Sequence, residues 1–219
     1  MCRMIVGAGN ISVDYLVDGL QAMAQKGHTD GWGAVHRDGE RLAIQKSTAS
    51  CLQDMALEAY TSVTTNLLAL HARRSPPKGI VSSDNTHPFW LHPDYYVFHN
   101  TQFNDGSYDP KRLVLHIRNF FEPGQEEVSL AKALLELKDF TAANCLLVGP
   151  KKAVVAVRYD KNSRKAPYYQ MAFSAENSDV LVSSETLLGR KWRPLPDGSL
   201  ISMYPNGRYD LVPDMRSLT

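Results

Sequence analysis

Tight-turn signals between short apolar segments constrain this chain most. Asp38-Gly39, Asp197-Gly198 and Asn206-Gly207 each separate two segments rich in aliphatic, aromatic or β-branched residues, and Gly149-Pro150 separates two more. Asx-Gly pairs adopt the positive φ angles that two-residue hairpin turns require, and hairpins join antiparallel strands. The chain is therefore predicted to form antiparallel sheets, not the parallel sheet of repeated strand–helix–strand units.

Periodic patterns predict the remaining elements. Apolar residues at helical spacing predict helices over 12–26, 52–63, 110–121 and 127–138. Strands are predicted over 4–8, 33–36, 41–46, 66–72, 95–100, 145–148, 153–158, 168–174, 179–183, 199–204 and 208–212. Because no repeat, linker or low-complexity segment interrupts this pattern, a single α+β domain is expected over residues 1–219.

Composition excludes several classes of function. The chain has 219 residues and a formal net charge of +1, whereas nucleic-acid-binding proteins usually carry a strong basic excess. Its apolar runs are shorter than the roughly 18 residues of a membrane-spanning helix, and the first residues form too short an apolar run for a secretory signal. Neither a nucleic-acid nor a membrane partner is expected, and a cytoplasmic location is predicted.

The three cysteines, Cys2, Cys51 and Cys145, are too widely spaced for a disulfide framework or a CxxC metal motif. Nothing else in the sequence requires a metal or an organic cofactor, so neither is expected. Cys145 lies in an apolar run, which predicts a buried core thiol. Cys51 offers no evident chemistry.

Cys2 is different because of its position. Removal of Met1 would leave a residue that carries both a thiol and a free α-amine. The α-amine has a pKa of about 7.7–8.0, so near neutral pH it can accept the thiol proton and return it to a leaving group. Such a nucleophile needs no separate histidine base.

Further motifs follow Cys2-Arg3-Met4 in a fixed order along the chain. They are His28-Thr29-Asp30-Gly31-Trp32-Gly33, Leu70-His71-Ala72-Arg73, Asn85-Thr86-His87-Pro88-Phe89, Phe98-His99-Asn100 and Ser183-Ser184-Glu185. Together they resemble the class II glutamine amidotransferases, and most closely the stand-alone members that begin Cys-Arg-Met. The resemblance extends from residue 2 to about residue 212. It implies the four-layer αββα sandwich of N-terminal-nucleophile hydrolases.

The resemblance also implies roles. Cys2 would attack the side-chain amide of glutamine, release ammonia and leave a γ-glutamyl thioester that water hydrolyses. Arg73 would hold the substrate α-carboxylate, with Arg74 as the neighbour that could be confused with it. Asn100 would donate to the oxyanion. The next residue of the family is usually glycine, which supplies a second backbone N–H, but this chain has Thr101.

Other implied contacts lie in loops. Asp109 would bind the substrate α-amine, with Asp105 as the alternative, although either could equally be a turn or helix-capping residue. The turn containing Gly31 and Trp32 would approach the nucleophile closely. His87 is expected to order the loop under the site and not to act as a base.

Two substrates and a non-catalytic alternative stay open at this point. The substrate would be glutamine or a larger γ-glutamyl amide, and the released ammonia could pass to a separate synthase subunit. Because Thr101 replaces the glycine, the alternative is a catalytically inert domain that binds glutamine or regulates a partner protein. The chain could also form an oligomer.

Overall fold

The computed structural model describes residues 2–76, 79–106 and 110–219. The strands are β1 (Arg3–Gly9), β2 (Trp32–Asp38), β3 (Arg41–Ser47), β4 (Leu67–Ala72), β5 (Phe89–His92), β6 (Tyr95–Phe103), β7 (Phe140–Val148), β8 (Ala153–Ala156), β9 (Met171–Glu176), β10 (Asp179–Ser183), β11 (Arg193–Leu195), β12 (Leu200–Met203) and β13 (Tyr209–Val212). The α-helices are α1 (Val13–Ala24), α2 (Met55–Glu58), α3 (Arg112–Arg118), α4 (Glu126–Glu136) and α5 (Ala166–Tyr169), and short 3₁₀ segments cover Ala59–Ser62, Ser83–Asn85 and Met215–Leu218. None of the helices in these ranges has both the length and the apolar character needed to cross a membrane.

The strands form two antiparallel sheets. Sheet A has seven strands in the order β11-β9-β10-β1-β4-β2-β3, and sheet B has six in the order β13-β12-β8-β7-β6-β5. Every neighbouring pair is antiparallel. The predicted α+β class with antiparallel sheets is confirmed.

The sheets face each other across an apolar core. Met4 and Val6 of β1 belong to the same buried cluster as Phe98 of β6 and Leu146 of β7. A second cluster packs α1 on the outer face of sheet A, and a third packs α3 and α4 on the outer face of sheet B. The order helix, sheet, sheet, helix is the predicted four-layer αββα sandwich.

Strand β1 lies inside sheet A, between β10 and β4. Side chains of a strand alternate between its two faces, and all seven residues of β1 are buried because both faces are covered. Met4 faces sheet B, whereas Ile5 faces α1. Cys2 directly precedes β1 and shares the parity of Met4. The fold therefore places Cys2 at the end of a central strand, on the side of sheet B.

The structure differs from the predicted elements in several places. The helix predicted over 52–63 shortens to α2 and a 3₁₀ segment, because Asp54 accepts a hydrogen bond from the Ala56 N–H and so caps a helix that begins at residue 55. The strand predicted over 168–174 begins only at Met171. The segment before it is helical, and the fixed φ of Pro167 suits the first helical turn.

Strands β5 and β11 were not predicted. They span four and three residues, and each lies at the edge of its sheet. Such short segments carry too little alternation to be recognised alone, and their neighbours β6 and β9 determine their pairing.

Gly33 of β2 leaves room for the His87-Pro88 segment. A Cβ atom at residue 33 would lie 1.8 Å from the His87 carbonyl oxygen. We expect Gly33→Ala to lower the free energy of unfolding by at least about 3 kcal/mol, at the upper end of the usual cost of overpacking. Urea denaturation measures this change.

Gly189→Ala is the matched control. Residue 189 has open space around it but a φ of +84°, so the added methyl group should cost only backbone strain of about 1 kcal/mol. Equal losses in the two variants would contradict the steric argument for Gly33.

Candidate active site

Cys2 is held between the two sheets. Its side chain is buried, with 6% of the residue exposed. Its backbone nitrogen donates a hydrogen bond to Asn100 Oδ1 over 3.1 Å. Asn100 shares the face of β6 with Phe98 and so points toward sheet A. This bond links the start of β1, in the middle of sheet A, to β6, the strand next to the edge of sheet B.

The same bond orients the Asn100 amide. The side-chain oxygen of Asn100 accepts the hydrogen bond from the Cys2 nitrogen. The side-chain NH2 group of Asn100 is therefore turned away from that nitrogen. Asn144 of β7 lies opposite Asn100 and binds the Tyr169 carbonyl and the Arg158 N–H through its own side chain. Two adjacent asparagines thus occupy the inner face of sheet B at this end of the sandwich.

The backbone N–H of Thr101 points away from β7. Thr101 lies opposite Ala143, whose own N–H donates to the Arg158 carbonyl on the other side of β7. In an antiparallel pair, opposite residues either bond to each other or both turn their backbone groups outward. On that outward side, strand β5 pairs with β6 only from Tyr95 to Val97. The Thr101 N–H is therefore turned toward an edge that β5 does not cover.

Arg73 follows β4 and has no exposed surface, whereas its neighbour Arg74 is exposed. The Arg73 guanidinium donates to the backbone carbonyls of Asp30 and Ile80 over 3.3 and 2.9 Å. Among the described residues, no carboxylate forms an ion pair with it. A buried cation that lacks a counter-charge is costly unless a ligand supplies one.

The turn before β2 positions Arg73. Gly31 has a φ of +106°, and its carbonyl accepts from the Arg73 N–H over 2.9 Å. The Trp32 side chain takes another direction. It is buried in the cluster beneath α1, and its indole N–H donates to Asp54 over 2.8 Å. The structure thus brings Gly31 to Arg73 but places the indole of Trp32 on the opposite face of sheet A from Cys2.

Three histidine rings pack together, and two of them, His71 and His87, lie beside Cys2. The ring centroid of His87 lies 4.0 Å from that of His71 and 4.4 Å from that of His99. Among the described residues, no group forms a hydrogen bond of good geometry with a ring nitrogen of His71 or His87, although the His99 backbone lies close to the His71 ring. Burial holds the pKa of both His71 and His87 well below the usual 6.5, and the neighbouring imidazoles lower it further. Both rings are therefore neutral at neutral pH.

Burial also raises the pKa of the Cys2 thiol above its usual value. The positive chain terminus, the Arg74 backbone and the Arg73 charge offset part of that rise. A raised pKa leaves the thiol protonated near neutral pH, so its use as a nucleophile requires a base.

Tyr168, which no sequence motif includes, lies in the same region as Cys2. Its hydroxyl lies 2.9 Å from His28 Nε2, and its ring lies under the Arg3 guanidinium at 3.8 Å. Arg3 also forms an ion pair with Glu185 over 2.8 Å. The sequence offered no signal for Tyr168.

His71 could have been recognised from the sequence. In strand β4 it lies on the same face as Leu67 and Ala69, which point toward sheet B.

Asp109, which the resemblance implies for binding the substrate amine, lies outside the described residues. The alternative, Asp105, is exposed and forms an ion pair with Arg112 over 2.6 Å.

Comparison with solved structures identifies the fold. The glutamine phosphoribosylpyrophosphate amidotransferase from B. subtilis superposes with a TM-score of 0.72 at 17% identity, over 97% of this chain and 49% of that one. A glutamine aminotransferase class-II domain protein from Silicibacter pomeroyi gives a TM-score of 0.67 at 14% identity, over 96% of this chain and 98% of that one. A protein described as a predicted glutamine amidotransferase, from Pseudomonas aeruginosa, gives 0.60 at 16% identity, over 95% and 99%.

The chain has the fold of class II glutamine amidotransferase domains, as the resemblance in its sequence predicts. It spans about half the length of the B. subtilis enzyme and nearly the whole length of the other two proteins. No family model matches the sequence, and no curated protein matches it. The likeness is therefore carried by the fold and by short motifs.

The buried histidines predict an acid-sensitive fold. Burial and the nearby Arg3 charge lower the pKa of His28 to about 4, whereas an unfolded histidine titrates near 6.5. Between those values the unfolded chain binds more protons than the folded chain, so the free energy of unfolding decreases as the pH falls through this window. The slope should reach about 1.4 kcal/mol per pH unit for each such histidine.

We expect His28→Gln, which retains a polar group beside Tyr168, to make this slope shallower between about pH 6.5 and 4. The exposed His92→Gln is the control and should leave the slope unchanged. Urea denaturation at several pH values measures both. Equal slopes in wild type and His28→Gln would contradict the assignment.

Proposed function

We propose that the protein is a glutamine amidohydrolase of the class II amidotransferase type, in which Cys2 is the nucleophile once Met1 is removed. One observation carries the proposal: Cys2 is buried at the start of a central strand and is bonded to Asn100 of the opposite sheet, close to the buried charge of Arg73. Nucleophile, amide donor and anion-binding cation are the groups that hydrolysis of an amino-acid side-chain amide needs.

In the proposed reaction, the Cys2 thiol gives its proton to its own α-amine, and the sulfur attacks the side-chain amide carbon. The C–N bond of the tetrahedral intermediate then breaks, and the α-amine returns the proton to the departing ammonia. Water attacks the resulting γ-glutamyl thioester, which releases glutamate and restores the thiol. The α-amine is needed because burial keeps the thiol protonated.

The oxyanion would be stabilised by Asn100 and Thr101. The Asn100 NH2 group is turned away from the Cys2 nitrogen, and the Thr101 N–H faces the edge that β5 does not cover. A backbone N–H donates equally well from threonine and from glycine. Thr101 has no positive φ, so this residue fits the strand without strain. This supports an active enzyme over the alternative of an inert binding domain.

Arg73 would bind the substrate α-carboxylate, because a guanidinium offers two parallel donors to a carboxylate. Gly31 would hold Arg73 in place through its carbonyl. We propose Asp109 for the substrate amine and His87 as a packing residue of the site. Trp32 would contribute to substrate binding only indirectly, because its buried indole holds the turn that contains Gly31.

The substrate proposed is glutamine or a larger γ-glutamyl amide, since both carry the same α-amino acid head. We propose that the ammonia is released or passed to a synthase subunit, in the cytoplasm. The B. subtilis structure is titled as a phosphoribosylpyrophosphate amidotransferase, and only about half of that chain matches this one.

The first test measures glutamate and ammonia from glutamine, with protein shown by mass spectrometry to begin at Cys2. We expect Cys2→Ala to lower turnover by at least about 1,000-fold, as loss of a covalent nucleophile does. Cys51→Ala, which removes another buried thiol, should retain activity.

Processed wild-type protein that forms no product from glutamine or from a panel of γ-glutamyl amides would overturn the proposal. A glutamine-dependent rise in Tm of that inactive protein would then favour the inert binding domain.

The second test addresses Arg73. We expect Arg73→Met to raise the KM for glutamine about 10- to 100-fold, with a smaller change in kcat, because it removes a charged hydrogen-bond donor worth about 1.5–3 kcal/mol. The exposed Arg74→Met should change KM less than about threefold, as an exposed charge contributes little.

The proposed contact between Arg73 and the α-carboxylate can be checked with a γ-amide substrate that lacks this carboxylate. Wild type and Arg73→Met should turn it over with similar kcat/KM. An equal loss on both substrates would show that Arg73 acts on something other than the carboxylate.

A further inference from the structure

Cys2, His71 and His87 form a second cluster of chemically reactive groups at the same site. Each offers one ligand atom, the Cys2 sulfur or a ring nitrogen, and the three atoms lie within 4.8 Å of one another. All three residues are buried. They come from three separate segments of the chain, so they do not form a metal-binding motif that can be recognised in the sequence.

We infer that these three residues form a binding site for a thiophilic divalent transition metal of the Zn²⁺ class, and that the bound metal blocks the nucleophile. The blocking effect rests on the proposed function, in which Cys2 is the nucleophile. Metal binding by the three residues does not depend on that function.

The donor set selects the metal. One thiolate and two imidazoles suit Zn²⁺ and its neighbours, whereas Mg²⁺ and Ca²⁺ require oxygen ligands. Structural zinc sites have four protein ligands, whereas three protein ligands leave a fourth position open for water or another small ligand. In a tetrahedral zinc site the ligand atoms lie about 3.3–3.7 Å apart, so the three side chains must each move by about 1 Å or less.

The two imidazoles are ready to bind. Within the described part of the chain, none of the four buried ring nitrogens of His71 and His87 makes a hydrogen bond of good geometry, which is unusual for buried polar atoms. An unprotonated imidazole binds a metal ion through the lone pair of one ring nitrogen. The His99 backbone carbonyl lies close to the His71 ring, where it can accept the second ring N–H once the other nitrogen binds a metal.

Only one proton leaves when the metal binds. The Cys2 S–H bond breaks, a sulfur–metal bond forms, and the proton passes to the buffer. The two neutral histidines donate lone pairs without a change of protonation, and no group is oxidised or reduced. The sulfur electrons then no longer reach the substrate amide.

Co²⁺ is the probe, because tetrahedral cobalt bound to a thiolate gives strong d–d bands and a sulfur-to-cobalt charge-transfer band. Metal-free, reduced wild-type protein should bind one Co²⁺ per chain with both signals, and Zn²⁺ should displace it. Cys2→Ala should lose the charge-transfer band. His71→Asn and His87→Asn should each weaken binding at least about tenfold, while the exposed His92→Gln should not.

A measurement on wild-type protein avoids any dependence on folding of the variants. Zn²⁺ should protect Cys2 from alkylation by iodoacetamide, measured by peptide mass mapping, and a chelator should restore the reaction. The absence of both a charge-transfer band and this protection would overturn the inference, as would a charge-transfer band that persists in Cys2→Ala.

Amidase activity measured on the same preparations separates the two proposals. Zn²⁺ should lower turnover of glutamine at least about tenfold, reversibly, if both are correct. Cobalt binding without amidase activity would overturn the proposed function alone. Amidase activity without cobalt binding or Zn²⁺ inhibition would overturn the metal site alone.

Discussion

The apolar core between the two sheets is the constraint on which the rest of the structure depends. Met4 and Val6 pack against Phe98 and Leu146 across the sandwich, and each fully buried aliphatic side chain contributes about 1.5–3 kcal/mol. This packing fixes the start of β1 against the middle of β6. The Cys2–Asn100 hydrogen bond lies at the edge of that core, so the geometry of the site follows from apolar packing several residues away.

Polar groups at this end of the sandwich are buried without the partners that a purely structural region would provide. In the described ranges, Arg73 contacts backbone carbonyls but no counter-charge, and the ring nitrogens of His71 and His87 make no hydrogen bond of good geometry. Such groups reduce stability, since each unsatisfied buried polar group costs about 1–3 kcal/mol. Their concentration around one thiol is the physical reason to regard this region as a binding site, because a ligand that supplies an anion or accepts a lone pair would satisfy them.

Much of the fold could be predicted from the sequence because hairpins are local. Asp38-Gly39 joins β2 to β3 in the register expected for a tight turn, and the helical period of α1 is clear from its apolar spacing. The failures also have local causes. Asp54 begins a helix later than periodicity suggests, Pro167 starts a helical turn where a strand was expected, and the edge strands β5 and β11 are too short to carry a pattern.

The sequence by itself determined the antiparallel class, the position of Cys2 at the head of a strand, and the choice of Arg73 and Asn100 as candidates. It could do so because these depend on turn chemistry, strand alternation and ordered motifs. Only the tertiary structure decided that Arg73 is buried while Arg74 is exposed, that the Trp32 indole faces away from Cys2, and that the Thr101 N–H points outward from β7. It alone brought His71, His87 and Tyr168 to the thiol region. These features depend on contacts between segments far apart in the chain, and no local pattern encodes how two sheets are placed face to face.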